Sequence, residues 1–176
     1  NIIIMMKALV KKLYRAGLSI AAAESCTGGL IAKEITDVPG SSAVFGLGVV
    51  SYSNTAKEAV LGVKAETLEK YGAVSEQTAR EMASAVRAAA GADIAVSTTG
   101  VAGPASAEGK PVGTVYIGIS TAEKCYASAF VFSGNRANIR RLAAKMALNM
   151  ALLEISAAPN IRPYPQKGGF SAKRGG

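Results

Sequence analysis

Met5, Met6, Leu9, Val10 and Leu13 recur at helical spacing, with Lys7, Lys11 and Lys12 on the opposite side. The pattern predicts an amphipathic helix closed by Gly17, a residue suited to the position just past a helix end. Leu18 to Ala23 then reads as a short buried strand, and Gly28 to Ile35 as helix, which leaves Glu24 to Thr27 on the turn between them. After the break at Pro39-Gly40-Ser41-Ser42, the apolar, β-branched stretch Val44 to Tyr52 predicts a second strand. Residues 56–71 read as two short helical pieces divided at Gly62. Ser75 is a suitable N-cap for a helix running to Ala90 and closed by Gly91. Ile94 to Thr98 predicts a third strand, followed by a glycine-bearing loop from Gly100 to Pro111. Val112 to Ser120 and Cys125 to Phe132 predict two more strands, joined as a hairpin by Thr121 to Lys124. Asn135 is placed to cap the last helix, with Ile139, Leu142, Met146, Met150 and Leu153 as its expected core stripe.

Strands alternating with helices argue an α/β fold with a sheet covered on both faces, and the hairpin makes that sheet mixed, not purely parallel. The 176 residues suit one domain, expected over residues 1–158. Residues 159–176 form a basic Gly/Pro-rich tail, expected to be disordered. The tail sharpens the reading of charge. The net charge is +8, and residues 160–176 supply four basic side chains and no acid, so half of the excess lies there. The body lacks a basic stripe interleaved with aromatics, so nucleic acid is not an expected partner. No run approaches the roughly 18 apolar residues that span a bilayer, so no membrane partner is expected either. No secretory leader is read at the start, and two cysteines make no disulfide framework; the expected compartment is the cytoplasm.

Composition also restricts the chemistry. The chain contains no histidine. A Ser-His-Asp triad, a Cys-His pair and a His-ligated zinc site are therefore excluded. No metal or other cofactor is expected. Glu24-Ser25-Cys26-Thr27-Gly28-Gly29 lies where a strand turns into a helix, so its free N–H groups can hold a phosphate or the oxyanion of a tetrahedral intermediate. The same residues also suit a plain capped helix with Ser25 or Thr27 as N-cap. Cys26 has no His or second Cys beside it and reads as a small buried hydrophobe. If Ser25 is a nucleophile, its proton acceptor is a lysine, tyrosine, carboxylate or water. Tyr52 and Lys57, after the second strand, can both reach a site at the strand ends. Burial of Lys57 would lower its basicity into a useful range, although the pattern taken alone favours an ordinary exposed helix lysine. Thr99-Gly100-Val101-Ala102-Gly103-Pro104 suits ligand binding at a strand's carboxyl end. It is not a Walker loop: five residues separate Gly103 from Gly109 where four are required, and Pro111 stands where Ser or Thr would hold magnesium. Arg136, Arg140 and Arg141, at the start of the last helix, suit an anionic ligand or surface ion pairs.

Five blocks in order resemble the C-terminal domain of the CinA (competence/damage-inducible) proteins and the related nicotinamide-nucleotide amidohydrolases. They are Ala23 to Gly29, Val49 to Asn54 with Lys57, Thr99 to Pro104, Lys110 to Val115, and Gly134 to Arg136 with Ile139 and Arg140. The likeness runs from about residue 5 to 155. It implies a three-layer α/β/α sandwich with a mixed, mostly parallel sheet. It also implies deamidation of nicotinamide mononucleotide to nicotinate mononucleotide and ammonia, with a small nucleotide as partner and a homo-oligomeric, dimeric state. Ser25 would be the nucleophile, with Lys57 and Tyr52 assisting proton transfer. Cys26, Thr27, Gly28, Gly29, Thr99, Gly100 and Gly103 would line the substrate site, and Arg140 would meet the phosphate. The alternative is a non-catalytic nucleotide-sensing or regulatory module with the same site. The chain departs from the family after Pro104, where Ala105-Ser106-Ala107-Glu108-Gly109 replaces the usual further glycines.

Overall fold

The computed structural model describes residues 2–164. Its elements in chain order are α1 (Ile2–Ala16), β1 (Ile20–Glu24), α2 (Leu30–Thr36), β2 (Phe45–Val50), α3 (Asn54–Leu61), α4 (Ala65–Tyr71), α5 (Glu76–Ala90), β3 (Ile94–Gly100), β4 (Thr114–Ser120), β5 (Cys125–Val131) and α6 (Arg136–Glu154). The five strands form one sheet in the order β2-β1-β3-β4-β5. Strand β1 pairs in parallel with β2 and β3, whereas β3–β4 and β4–β5 are antiparallel. Four strands therefore point one way and β4 opposes them.

Strand alternation sorts the buried residues into two cores. Ile20, Ala22, Ile94 and Val96 face the α1, α2 and α6 side, with Leu9, Leu13, Ile31, Ile139 and Leu148. Ala21, Ala23 and Ala95 face the other side, with Leu61, Leu68, Met82 and Val86 from α3, α4 and α5. The result is the expected three-layer α/β/α sandwich with a mixed sheet. Among the described residues no helix is long and apolar enough to cross a membrane.

Two boundaries and one burial stripe that bear on the site differ from the sequence reading, each for a local reason. Strand β1 runs on to Glu24, because the buried carboxylate of Glu24 has donors waiting for it. Helix α2 starts at Leu30, since Gly28 and Gly29 adopt φ of 58° and 95° and cannot belong to a right-handed helix. The core stripe of α6 is Ile139, Ala143, Ala144, Ala147, Leu148 and Ala151, and Leu153 is 64% exposed. Alanines on the inner face let α6 lie close to the sheet, which moves Met146 and Met150 to the flank of the core. The caps at Ser75, Gly91 and Asn135 stand where expected, with Ser75 and Asn135 accepting from Thr78 N and Asn138 N.

The first residues of the tail lie on α1. The Ile161 and Arg162 N–H groups donate to Arg15 O (2.7 and 3.0 Å), and the Tyr164 ring stands edge-on to Tyr14. The disorder expected of the tail therefore does not extend to residues 160–164. Residues 165–176, with Lys167, Lys173 and Arg174, are outside the described residues.

Candidate active site

The carboxyl ends of β1, β2 and β3 meet at Ser25. Its N–H donates to Thr98 O at 2.9 Å, continuing the β1–β3 ladder by one residue, and Ser51 N–H donates to Glu24 O at 2.9 Å on the β2 side. The turn that follows is shaped by Glu24, which is fully buried. Its Oε2 accepts from Thr27 Oγ1 (2.7 Å), Gly29 N (2.9 Å) and Ile31 N (3.0 Å), and its Oε1 from Ala32 N (2.9 Å). Four donors and the positive end of α2 offset the desolvation of this carboxylate. Thr27 Oγ1 also meets Thr98 Oγ1 at 2.7 Å, tying the turn to β3.

This arrangement changes the expected role of the helix start. Gly29, Ile31 and Ala32 already donate to Glu24, Gly28 N to Ser25 O and Leu30 N to Thr27 O. The N-terminus of α2 thus holds an internal carboxylate and not a ligand.

Lys57 comes from α3, whose start is fixed by Ser53 accepting from Ala56 N. Its side chain is 1% exposed, and Nζ donates to Ser25 Oγ and to Ser51 O, both at 3.0 Å. No carboxylate is salt-bridged to it among the described residues. Burial depresses its basicity below the ordinary lysine range, with Cys26 and Glu108 opposing that shift. A lysine of lowered basicity within hydrogen-bond reach of a hydroxyl is chemically suited to take its proton. Cys26 behaves otherwise: burial pushes its thiol up to about 12, so it stays protonated and lines the site as a small apolar group.

A cavity of about 240 Å³ opens over the pair, lined by Ser25, Cys26, Tyr52, Asn54, Lys57, Ala73, Val74, Thr99, Gly100, Ala102, Glu108 and Arg136. Thr99 reaches it with its hydroxyl donated to Ala73 O at 2.7 Å. Gly100 has no room for a side chain, since a Cβ there would stand 2.6 Å from Thr114 O. A wider depression of about 410 Å³ along α4, α5 and Cys125 lacks comparable chemistry. There Glu81 already accepts from Lys64 N and Thr67 Oγ1, and Arg80 pairs with Glu76.

Of the residues singled out in the sequence, Ser25, Cys26, Lys57, Tyr52, Thr99 and Gly100 come together at this cavity. The Tyr52 phenol is 58% exposed at its rim and accepts from Arg136 Nη2 at 2.6 Å, so it touches neither Ser25 nor Lys57 in this state. Gly103 holds the same arginine through its carbonyl. Thr27, Gly28 and Gly29 build the turn behind Ser25 and are not among the lining residues. Arg140 is absent from the lining too. Its guanidinium donates to Cys26 O (3.1 Å) and Thr27 O (2.8 Å), packed where Gly28 leaves space. Arg136, one helical turn earlier, is the arginine at the cavity.

Two residues of consequence were not singled out. Glu24 had a readable signal, an acid closing an apolar strand directly before Ser25. Glu108 had a weaker one, the departure after Pro104. Its carboxylate accepts from Ala73 N (3.0 Å) and Val74 N (2.9 Å).

Comparison with known proteins gives the family of the chain. The CinA C-terminal domain family matches residues 3–155. The chain belongs to that family. It is 57% identical over 137 residues to a putative competence-damage inducible protein of Caldanaerobacter subterraneus subsp. tengcongensis, covering 77% of this chain and 33% of that protein. It is 55% identical over 141 residues to the nicotinamide-nucleotide amidohydrolase PncC of Enterobacter agglomerans, covering 78% of this chain and 85% of that protein. A CinA superfamily protein of Klebsiella pneumoniae superposes with a TM-score of 0.86 at 32% identity, covering 89% of this chain and 98% of that one. The chain spans about a third of the length of the putative competence-damage inducible relatives it matches. This CinA-type domain thus has the family's sheet and layers, with a Ser–Lys pair at the carboxyl ends of its parallel strands.

Proposed function

We propose that this CinA-type domain is an amidohydrolase that converts nicotinamide mononucleotide to nicotinate mononucleotide and ammonia. The observation that carries the reading is the buried Lys57 with Nζ 3.0 Å from Ser25 Oγ, both lining a cavity of about 240 Å³. The 55% identity to a protein named for that reaction supports the choice of substrate.

In its neutral form Lys57 accepts the Ser25 proton as Oγ attacks the carboxamide carbon. Of the turn after Ser25, the Cys26 amide is the group on the cavity lining for stabilising the oxyanion. The lysine ammonium then protonates the departing nitrogen, ammonia leaves, and water resolves the acyl-enzyme with Lys57 again as base. Ser51 O accepts from Nζ throughout and keeps the amine aimed at Oγ. Arg136 is the group for the substrate phosphate, because it lines the cavity and Arg140 does not.

The test is ammonia release from nicotinamide mononucleotide by wild type, Ser25→Ala and Lys57→Ala. Wild-type release with a loss of about 10²–10⁴-fold in Lys57→Ala, and at least as large a loss in Ser25→Ala, is expected. Full activity in Ser25→Ala would sink the covalent route. Nucleotide binding without ammonia release by the wild type would favour a sensing module.

A further inference from the structure

Residues 101–113 join β3 to β4 and form one wall of the cavity through Ala102 and Glu108. Two ties hold this loop. Gly103 O accepts from Arg136, and the Glu108 carboxylate accepts from the Ala73 and Val74 amides, 35 and 34 residues back. The second tie is made under strain. Ala107 and Lys110 exchange backbone hydrogen bonds across a two-residue turn, and Glu108 and Gly109 at its centre have φ of 52° and 69°. Such turns with two positive φ values favour Asn, Asp or Gly at the first central position, and glutamate is disfavoured there. Glu108 is the only non-glycine residue with positive φ among those described. Gly72 supplies the space for its side chain, since a Cβ there would stand 2.4 Å from Glu108 Oε2. A strained residue with a shaped receptor for its carboxylate points to a purpose beyond closing a turn.

We propose that Glu108 is a positioning residue: by clasping the Ala73 and Val74 amides it holds residues 101–113 closed over the Ser25–Lys57 pair and keeps Lys57 out of water. The inference rests on the amidohydrolase reading for its meaning in catalysis, but the clasp itself does not. Two opposite effects of Glu108 on Lys57 make the idea decidable. The closed loop keeps the amine desolvated, which favours the neutral base, whereas the carboxylate's negative charge favours the ammonium. The other titratable or charged groups facing the cavity are Cys26 from the turn after β1, Tyr52 ahead of α3 and Arg136 of α6. Arg136 is itself tied to the same loop through Gly103 O.

The test uses Glu108→Gly, which relieves the positive-φ strain but gives up both hydrogen bonds to the Ala73 and Val74 amides, with Glu108→Gln as a second variant that removes the charge but keeps the length. Thermal unfolding confirms that each variant is folded. Amide hydrogen exchange at Ala73 and Val74, and the titration of Lys57 Nζ followed by NMR, are the readouts. The clasp predicts at least tenfold faster exchange in Glu108→Gly and a Lys57 midpoint raised by about one unit, a tenfold smaller neutral fraction near neutral pH. The acidic limb of kcat/KM for nicotinamide mononucleotide should move up in pH by the same amount. Unchanged exchange, or a Lys57 midpoint that stays put or falls, overturns the proposal, because loss of the charge alone lowers it. Glu108→Gln should lie between wild type and Glu108→Gly in exchange. If wild type releases no ammonia, the amidohydrolase reading fails, while exchange and titration still decide the clasp.

Discussion

Lys57 combines near-complete burial with contacts to only a hydroxyl and carbonyl oxygens, and this has consequences for stability as well as for chemistry. Its folded-state basicity is depressed from the ordinary value of 10.5. Between the depressed value and 10.5 the unfolded chain carries a proton on this residue that the folded chain does not. Wild-type stability therefore rises with pH across that window and falls as pH drops through it. Lys57→Met removes the group. The stability difference between Lys57→Met and wild type should thus move in the variant's favour as pH falls from about 10.5 toward neutrality, measured by urea unfolding at several pH values. A pH-independent difference would mean that the amine is protonated in the folded state. Activity follows the same proton: kcat/KM should rise with pH along a limb centred below 10.5. Lys57→Arg should be inactive, since a guanidinium keeps its proton.

At the scale of elements, α2 depends on Glu24 more than on its own composition. It has seven residues and begins after two left-handed glycines, with no side-chain cap from its N-cap residue, Gly29. The carboxylate of Glu24 supplies the missing acceptors at Gly29, Ile31 and Ala32. Glu24→Gln keeps the shape but presents an NH₂ to at least one of those donors. A loss of about 2–4 kcal/mol is expected, read from denaturant unfolding. A loss under about 0.5 kcal/mol would mean that the turn is held by Arg140 and the Thr27–Thr98 contact instead. Elements of this chain were legible wherever local chemistry decides them. The Ser75 and Asn135 caps and the Gly91 stop are settled within a few residues, and the structure agrees. The burial phase of α6 was not legible in that way. Large apolar residues dominate a hydrophobicity pattern, yet the alanines make the closest approach and so occupy the inner face. Gly28 and Gly29 misled for the related reason that their φ is set by the packing of Arg140 and Glu24, not by neighbours in sequence.

For the whole molecule, the Ser25–Lys57 pair was legible because it follows from topology. Each residue comes shortly after a parallel strand, and β1 and β2 are neighbours, so both side chains reach the same sheet edge. Arg136 and Glu108 needed the third dimension. The choice between Arg136 and Arg140 turns on which face of α6 meets the cavity, and the Glu108 receptor lies some 35 residues away in α5's approach. That approach depends in turn on how closely α5 sits on the sheet. One close approach is at Gly118 of β4, where a Cβ would stand 2.5 Å from Ala79 O and 2.4 Å from Ser97 Oγ. Ser97 Oγ donates to that same carbonyl, so neither atom can retreat without breaking the bond. Gly118→Ala must lift the start of α5, which is continuous with the Ala73 and Val74 wall of the cavity. Overpacking of this kind costs about 1–3 kcal/mol, and ammonia release should fall even well below the melting temperature. Gly46→Ala on the edge strand β2, where no atom lies within 4 Å, is the control and should change stability by less than about 0.5 kcal/mol. Equal unfolding midpoints for the two variants would show that the α5 layer yields without cost and that the cavity wall is not set by its distance from the sheet.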